Sequence, residues 1–236
     1  MPHRFYLANL PDSGTAVLDG IEAHHLLHVL RASPGDIVEL FNGAGLVAKA
    51  EVVKAGRREI DLRVLESRRE EPSSRQVIIG TAVPKGDRFD WLIEKATELG
   101  VTRLVPLTTE RSVVDPRDSK LDKLRQTVIA ACKQSGRNYL LELSPVTTWA
   151  RFVKETLSSS RSFIAHPGAG APVMSSTLLG DHPQVAFAVG PEGGFTDGEV
   201  ALAIEHKVTP ISLGPLILRI ETAAVALAAC AAMQST

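Results

Sequence analysis

The sequence predicts an α/β protein in two parts: a small β-rich module followed by a larger domain on a mainly parallel sheet. Three observations predict it. Five short apolar runs, separated by Gly, Pro, Asn or Asp, crowd the first 70 residues. Beyond them strand-like and helix-like patterns alternate. Between the two lies SRREEPSSRQ, polar, charged and proline-containing, which reads as a linker and sets the domains at residues 1–72 and 73–236.

In the first part the strand runs are HRFYLAN, TAVLDG, DIVELFN, LVAKAEVVKAG and EIDLRVLE. Asn42-Gly43 signals a tight hairpin, because both residue types tolerate positive φ. One helix, EAHHLLHVLR, interrupts the strands, with Ile21, Leu26, Leu27 and Leu30 expected inward. Five short strands and a helix suggest a small β-barrel.

The second part opens with the buried-strand run QVIIGTAV. DRFDWLIEKATELG follows as a helix, with Phe89, Leu92, Ile93, Ala96 and Leu99 on one face, Asp87 as its N-cap and Gly100 as its stop. RLVPLTT is the next strand, and a helix is expected over 119–136 with Leu121, Leu124, Val128 and Cys132 inward and Gly136 at its end. RSFIAHP and QVAFAVGP are two further strands. Thr196 and Glu199 have the spacing of a capping box, in which each side chain bonds the other's backbone amide, and so start the helix DGEVALAIEHK. TPISLG is a last strand and ETAAVALAACAAM a last, alanine-rich helix. Strands separated by helices imply parallel pairing.

Composition narrows function only a little. The net charge is −1, so nothing global points to a polyanionic partner. Residues 73–140 hold 12 Lys/Arg against 8 Asp/Glu, a modest basic excess open to either a nucleic-acid face or an ordinary solvated surface. No apolar run is long enough for a membrane span, and the start lacks the basic-then-apolar order of a signal peptide. Cys132 and Cys230 fall in apparent helices and suggest neither a disulfide framework nor a metal. His24 and His28 share a helix face without an evident third ligand, so no metal is expected. A cytoplasmic protein fits these features.

Familiar nucleotide signatures are missing. No GxGxxG follows a strand, and His166–Gly170, though glycine-rich, lacks the Gly-Lys-Ser/Thr of a P-loop. Two other segments stand out. Val189-Gly190-Pro191-Glu192-Gly193-Gly194 leaves an apolar strand and enters the capped helix, where strand ends bind ligands in α/β sheets and glycines expose backbone groups. A plain tight turn is the alternative. Leu213 to Ala223 again joins a strand to a helix, with Leu213, Leu216, Ile217 and Leu218 crowding a loop that would ordinarily be polar. Such residues need a ligand or another subunit. Arg219 in that run needs a carboxylate, phosphate or carbonyl partner, Glu221 being the local option. Glu221 also suits a helix N-terminus.

These segments carry a resemblance. GPEGGF followed by LGPLILRIETA is similar to the paired C-terminal signature of the ribosomal RNA small subunit methyltransferase E family. Lys95–Val101, Pro106–Ser112, Gln134-Ser135 with Arg137, Arg4-Phe5, and His28–Arg31 with Gly35 resemble further segments of it, so the likeness spans essentially the whole chain. Two departures are Lys133, where the family usually has glutamate, and Ile220, where threonine is commoner.

The resemblance implies an N-terminal PUA-like domain that binds RNA and a SPOUT domain tied C-terminally in a trefoil knot. It implies S-adenosylmethionine as methyl donor, methylation of N3 of a uridine in 16S ribosomal RNA, the small ribosomal subunit as partner, and a homodimer. By similarity the donor would lie against three loops: Ala165, His166 and Pro167; Val189 through Gly194; and Leu213, Gly214, Ile217, Leu218 and Arg219. Arg219 is also the expected catalytic cation, holding charge on a uracil oxygen. Arg4, Arg31, Lys85, Arg88, Arg111 and Arg137 are the expected RNA phosphate contacts. Another RNA, a non-catalytic RNA-binding assembly role, and nucleotide binding by His166–Gly170 stay open as alternatives.

Overall fold

The computed structural model describes residues 3–113, 121–168 and 171–233, with the backbone alone at 121 and 122. The chain divides into two compact units. One contains residues 1–72 together with 132–140, the other 73–131 and 141–236.

The first unit carries a five-stranded sheet ordered β1-β3-β4-β5-β2. Its strands are β1 (Arg4–Tyr6), β2 (Gly14–Leu18), β3 (Ile37–Phe41), β4 (Leu46–Ala55) and β5 (Ile60–Arg69). All pairs are antiparallel except β1 with β3. Inward residues Val38, Leu40, Ala50, Val52, Ile60 and Leu62 form the core with Phe5 and Leu18. β5 extends into the expected linker, its Arg69 pairing with Leu46 and its Arg68 with Val47. The ladder satisfies those backbone groups, while the side chains stay outside in exposed ion pairs, Arg68 with Glu70 and Arg69 with Asp12.

The predicted helix forms as α1 (Gly20–His24) and continues directly into one π-helical stretch, His25–Val29. Its inward stripe is Ala23, Leu26, Leu27 and Leu30, the helical three-four spacing. Ile21, expected inward, is exposed. It lies two residues before that stripe, about 200° round the helix. The hairpin is wider than a two-residue turn. Asn42 Oδ1 accepts from the amides of Ala44 and Leu46, at 2.8 and 3.0 Å, so its side chain organises residues 42–46.

Residues 132–140 complete this unit from far along the chain. The Leu140 amide donates to Gly43 O at 3.0 Å and the Gly45 amide to Asn138 O at 3.0 Å. Tyr139 Oη donates to Glu70 O at 2.6 Å. Lys133 ion-pairs with Glu22 at 2.8 Å and sits over the Phe5 ring.

The second unit is a parallel sheet ordered β12-β10-β11-β6-β7-β8, with β9 also on β7. Its strands are β6 (Gln76–Ala82), β7 (Arg103–Thr108), β8 (Glu142–Leu143), β9 (Thr147–Thr148), β10 (Arg161–Ala165), β11 (Gln184–Val189) and β12 (Thr209–Ile211). Its helices are α2 (Arg88–Glu98), α3 (Leu121–Ser135), α4 (Trp149–Glu155), α5 (Asp197–Glu205) and α6 (Ile220–Ala232). α3 continues past the unit's edge, and residues 119 and 120 of the expected helix, with the side chain of Leu121, lie outside what is described. β8, β9 and α4 have no counterpart in the sequence reading.

Alternation decides the layers. Ile78, Ile164, Ala186 and Ala188 face one way and pack with Trp149, Phe152 and Val153 of α4 and Ala203 of α5. On the other face α6 packs on β6 and β11 beside α2. The buried positions Ala224, Leu227, Ala228 and Ala231 repeat at helical spacing, and the three alanines allow a close approach. Asp87 stands at the N-cap of α2 without the expected side-chain hydrogen bond, whereas Thr196 and Glu199 make both bonds of the capping box on α5.

Candidate functional site

Three loops of the second unit leave the sheet side by side because their strands are parallel neighbours in register. Ala165, the last residue of β10, pairs with both Val189 of β11 and Ile211 of β12. The chain therefore exits at one level at three adjacent points, at the carboxyl ends where α/β sheets bind ligands. The exits enclose a cavity of about 480 Å³, within the usual range for small-molecule sites.

One wall comes from Ala165, His166 and Pro167. A second is Val189 through Phe195. A third runs from Leu213 to Leu218, closed below by Ile220 and Ala223 of α6. Ala169 and Gly170, the end of the glycine-rich segment, lie outside the described residues.

The second wall is firmly built. The Gly194 amide donates to Pro191 O at 2.8 Å and closes a turn. A Cβ on Gly190 would come 3.0 Å from the Phe195 ring, so any larger residue there presses on that ring. Phe195 in turn lies 4.5 Å from Trp149, ring centre to ring centre. Arg111 Nη1 donates to Gly193 O at 2.7 Å, and Arg111 itself lines the cavity.

Behind this wall sits Glu199, which the sequence reading treated only as a cap. It is buried, and both its oxygens are used. Oε2 accepts from the Thr196 amide at 2.9 Å, and Oε1 from the Glu110 amide at 3.0 Å. The turn at residues 109–112 is further tied by the Thr109 amide to Ser112 Oγ at 2.9 Å. One carboxylate thus joins the turn bearing Arg111 to the start of α5. The available signal was Thr109 and Ser112 bracketing a charged pair, a side-chain-stabilised turn.

The third wall differs. Ser212 Oγ bonds the amide and carbonyl of Gly214, both at 3.2 Å, and Gly214 has φ +110°, which favours glycine. Beyond it Leu216 and Ile217 are 77% and 98% exposed, although both line the cavity. The Ser212 amide also donates to Pro172 O and the Met174 amide to Ser212 O, so the loop after β10 lies along this one.

Arg219 does not line the cavity. It caps α6 by position, its side chain is exposed, and it makes no ion pair among the described residues. The alternative pairing with Glu221 does not occur, since Glu221 faces Arg88 instead. Glu221 is buried in the first turn of α6, 3.7 Å from Arg88 Nη1. Its Oε2 has no hydrogen-bond donor among the described residues.

The expected RNA contacts divide. Arg31 and Lys85 are exposed, and Arg88 is half-buried with Nε donating to Lys85 O at 3.1 Å. Arg4 is committed internally: to Glu39 Oε1 at 2.6 Å, to Cys132 O at 2.9 Å, and to Asn138 Oδ1, with its face over Phe41. A buried cation needs such partners, so Arg4 is a structural clasp and not a phosphate contact. Arg137 is half-buried, and desolvation pushes its pKa down from the usual arginine value.

Among the described residues no group of three or more His, Cys, Asp or Glu side chains is placed to hold a metal, and no helix is long and apolar enough to cross a membrane.

The parallel sheet with three adjacent loop exits is a fold of the SPOUT class, as in the structural relatives. The family model for an RNA methyltransferase domain matches residues 70–234, and that for an RNA methyltransferase PUA domain matches residues 18–65. The ribosomal RNA small subunit methyltransferase E of Synechocystis is 33% identical over 214 residues, covering 89% of this chain and 70% of that protein. The Bacillus subtilis protein of the same name is 32% identical over 229 residues, covering 91% and 88%. The crystal structure of a ribosomal RNA small subunit methyltransferase E from Neisseria gonorrhoeae, bound to S-adenosyl methionine, has a TM-score of 0.85 at 32% identity, covering 97% of this chain and 95% of that one. The chain belongs to the ribosomal RNA small subunit methyltransferase E family.

Proposed function

We propose that this protein methylates N3 of a uridine in 16S ribosomal RNA, with S-adenosylmethionine held in the triple-exit cavity. The observation that carries the reading is the convergence of residues 165–167, 189–195 and 213–218 on one hollow with both apolar and backbone polar walls. The Neisseria relative that binds this donor supports it.

The residues fit such a donor. Leu213, Ile217 and Leu218 offer flat apolar contact to an adenine, and backbone groups of Gly190, Gly193 and Gly214 can bond its edge. His166, Pro167, Pro191, Glu192 and Gly194 complete the enclosure. When bound, the donor supplies an electrophilic methyl on sulfur, so the protein's main task is alignment.

Uracil N3 carries a proton that must leave, and a nearby cation favours the anion. Arg219, without an ion pair among the described residues and at the foot of the third wall, takes this catalytic role. N3 is also a Watson–Crick atom, so the base must be unpaired or flipped. Arg31, Lys85 and Arg88 hold phosphates; the PUA-like domain, residues 1–72, binds RNA, and the SPOUT domain, residues 73–236, carries the methyl transfer. The path from edge strand β12 back to α6 over β6 and β11 supports a trefoil knot in which the third wall is threaded. The working form is a cytoplasmic homodimer, and its target is the ribosomal RNA or small subunit.

Mass mapping of 16S ribosomal RNA from a deletion strain tests the substrate. One uridine is expected to lose a methyl group and to regain it on complementation; an unchanged RNA defeats the assignment. Calorimetry with S-adenosylmethionine tests the cofactor separately.

A further inference from the structure

The cavity wall contains one arginine and, among the described residues, no lysine. That arginine, Arg111, is held where it is by two linked contacts. The Glu110 amide is fixed to buried Glu199, and Arg111 Nη1 is fixed to Gly193 O at 2.7 Å. Its aliphatic stem packs close to Gly193, since a Cβ there would come 3.3 Å from Arg111 Cδ. No carboxylate pairs with it among the described residues. One guanidinium donor is therefore used, and the others remain for a ligand.

The other formal charges lining the cavity are the carboxylates Glu192 and Asp197. These repel an anion and suit an ammonium. A donor with an amino-acid end carries one of each sign. Arg111 is the lining group matched to its carboxylate, in the forked geometry that a guanidinium presents.

Resting on the cofactor reading above, we propose that Arg111 is a specificity-determining residue that binds the carboxylate of the methyl donor's amino-acid end. The contact to Gly193 places the fork, and Glu199 fixes the turn that delivers it. An RNA phosphate is the competing anion for the same group. The stem's position within the cavity wall favours the small ligand.

Calorimetry on the whole protein with two probes, S-adenosylmethionine and decarboxylated S-adenosylmethionine, isolates the one group in question. Wild type is expected to prefer the carboxylated compound by about ten- to a hundredfold, the worth of a charge-assisted hydrogen-bonded contact. Arg111→Gln should bring the ratio of the two affinities close to one, whatever both compounds lose alike with the Gly193 contact. Arg111→Lys, which keeps the charge but not the fork, should retain part of it. No preference in wild type overturns the inference, as does an equal loss for both probes in Arg111→Gln, which would make the side chain a loop clasp only. Unchanged affinities with weakened RNA binding would assign Arg111 to a phosphate and overturn it too. Wild-type protein that binds neither probe removes the cofactor reading itself, an outcome distinct from the others.

Discussion

The loops after β11 and β12 face one another across the same hollow but are made differently. Residues 190–194 are fastened by a backbone turn, by Phe195 packed at a tilt against Trp149, and by Arg111 on Gly193. Residues 215–217 place two large apolar side chains in solvent and are held mainly at the Ser212–Gly214 end. The loop after β11 is preorganised, so little of its binding free energy is lost to ordering. The loop after β12 keeps apolar area in water that a ligand can remove, and that area is its contribution to affinity.

The sharpest way to break this contrast is to spoil the rigid wall. Gly190→Leu would drive a side chain into the Phe195 ring, and a distorted wall should weaken S-adenosylmethionine by more than about a hundredfold in calorimetry. Unchanged affinity would mean the wall is not preorganised at all.

Next comes Arg219→Ala, at the foot of the soft loop yet outside the cavity. We expect kcat to fall about a hundredfold, with donor affinity altered only about threefold or less. Parallel losses in both would make the residue part of the pocket.

The smallest effect tests the soft loop directly. Ile217→Ser should weaken the donor about tenfold by lost apolar burial, while Tm stays the same because the side chain is already in water. A substantial fall in Tm would show that Ile217 supports the fold, and the contrast between the walls would then fail.

Local signals were legible and distant ones were not. Alternating apolar runs marked every strand of the first unit, and the Thr196–Glu199 spacing marked a cap that forms as expected. The site loops were legible because glycine clusters and misplaced apolar residues violate ordinary loop chemistry. Residues 132–140 were not, because their partners stand up to 134 positions away, as with Arg4 and Asn138. No periodicity records such a contact. β8, β9 and α4 escaped for the opposite reason: strands of two residues and a helix of seven are too short to establish a period. Arg4 and Arg219 exchanged expected surroundings, since charge type does not say which side of the surface a guanidinium occupies. Lys133, a departure from the family pattern, is explained by Glu22, which accepts its charge.

The clasp around Arg4 bears on any attempt to dissect the molecule. A fragment cut after residue 72 would keep Glu39 but lose the Cys132 carbonyl and the Asn138 amide oxygen. It would also strand Glu22 without Lys133. Poor behaviour of that piece would therefore report missing acceptors and not an unsound β-sheet, and grafting the nine excised residues back is the remedy to try first.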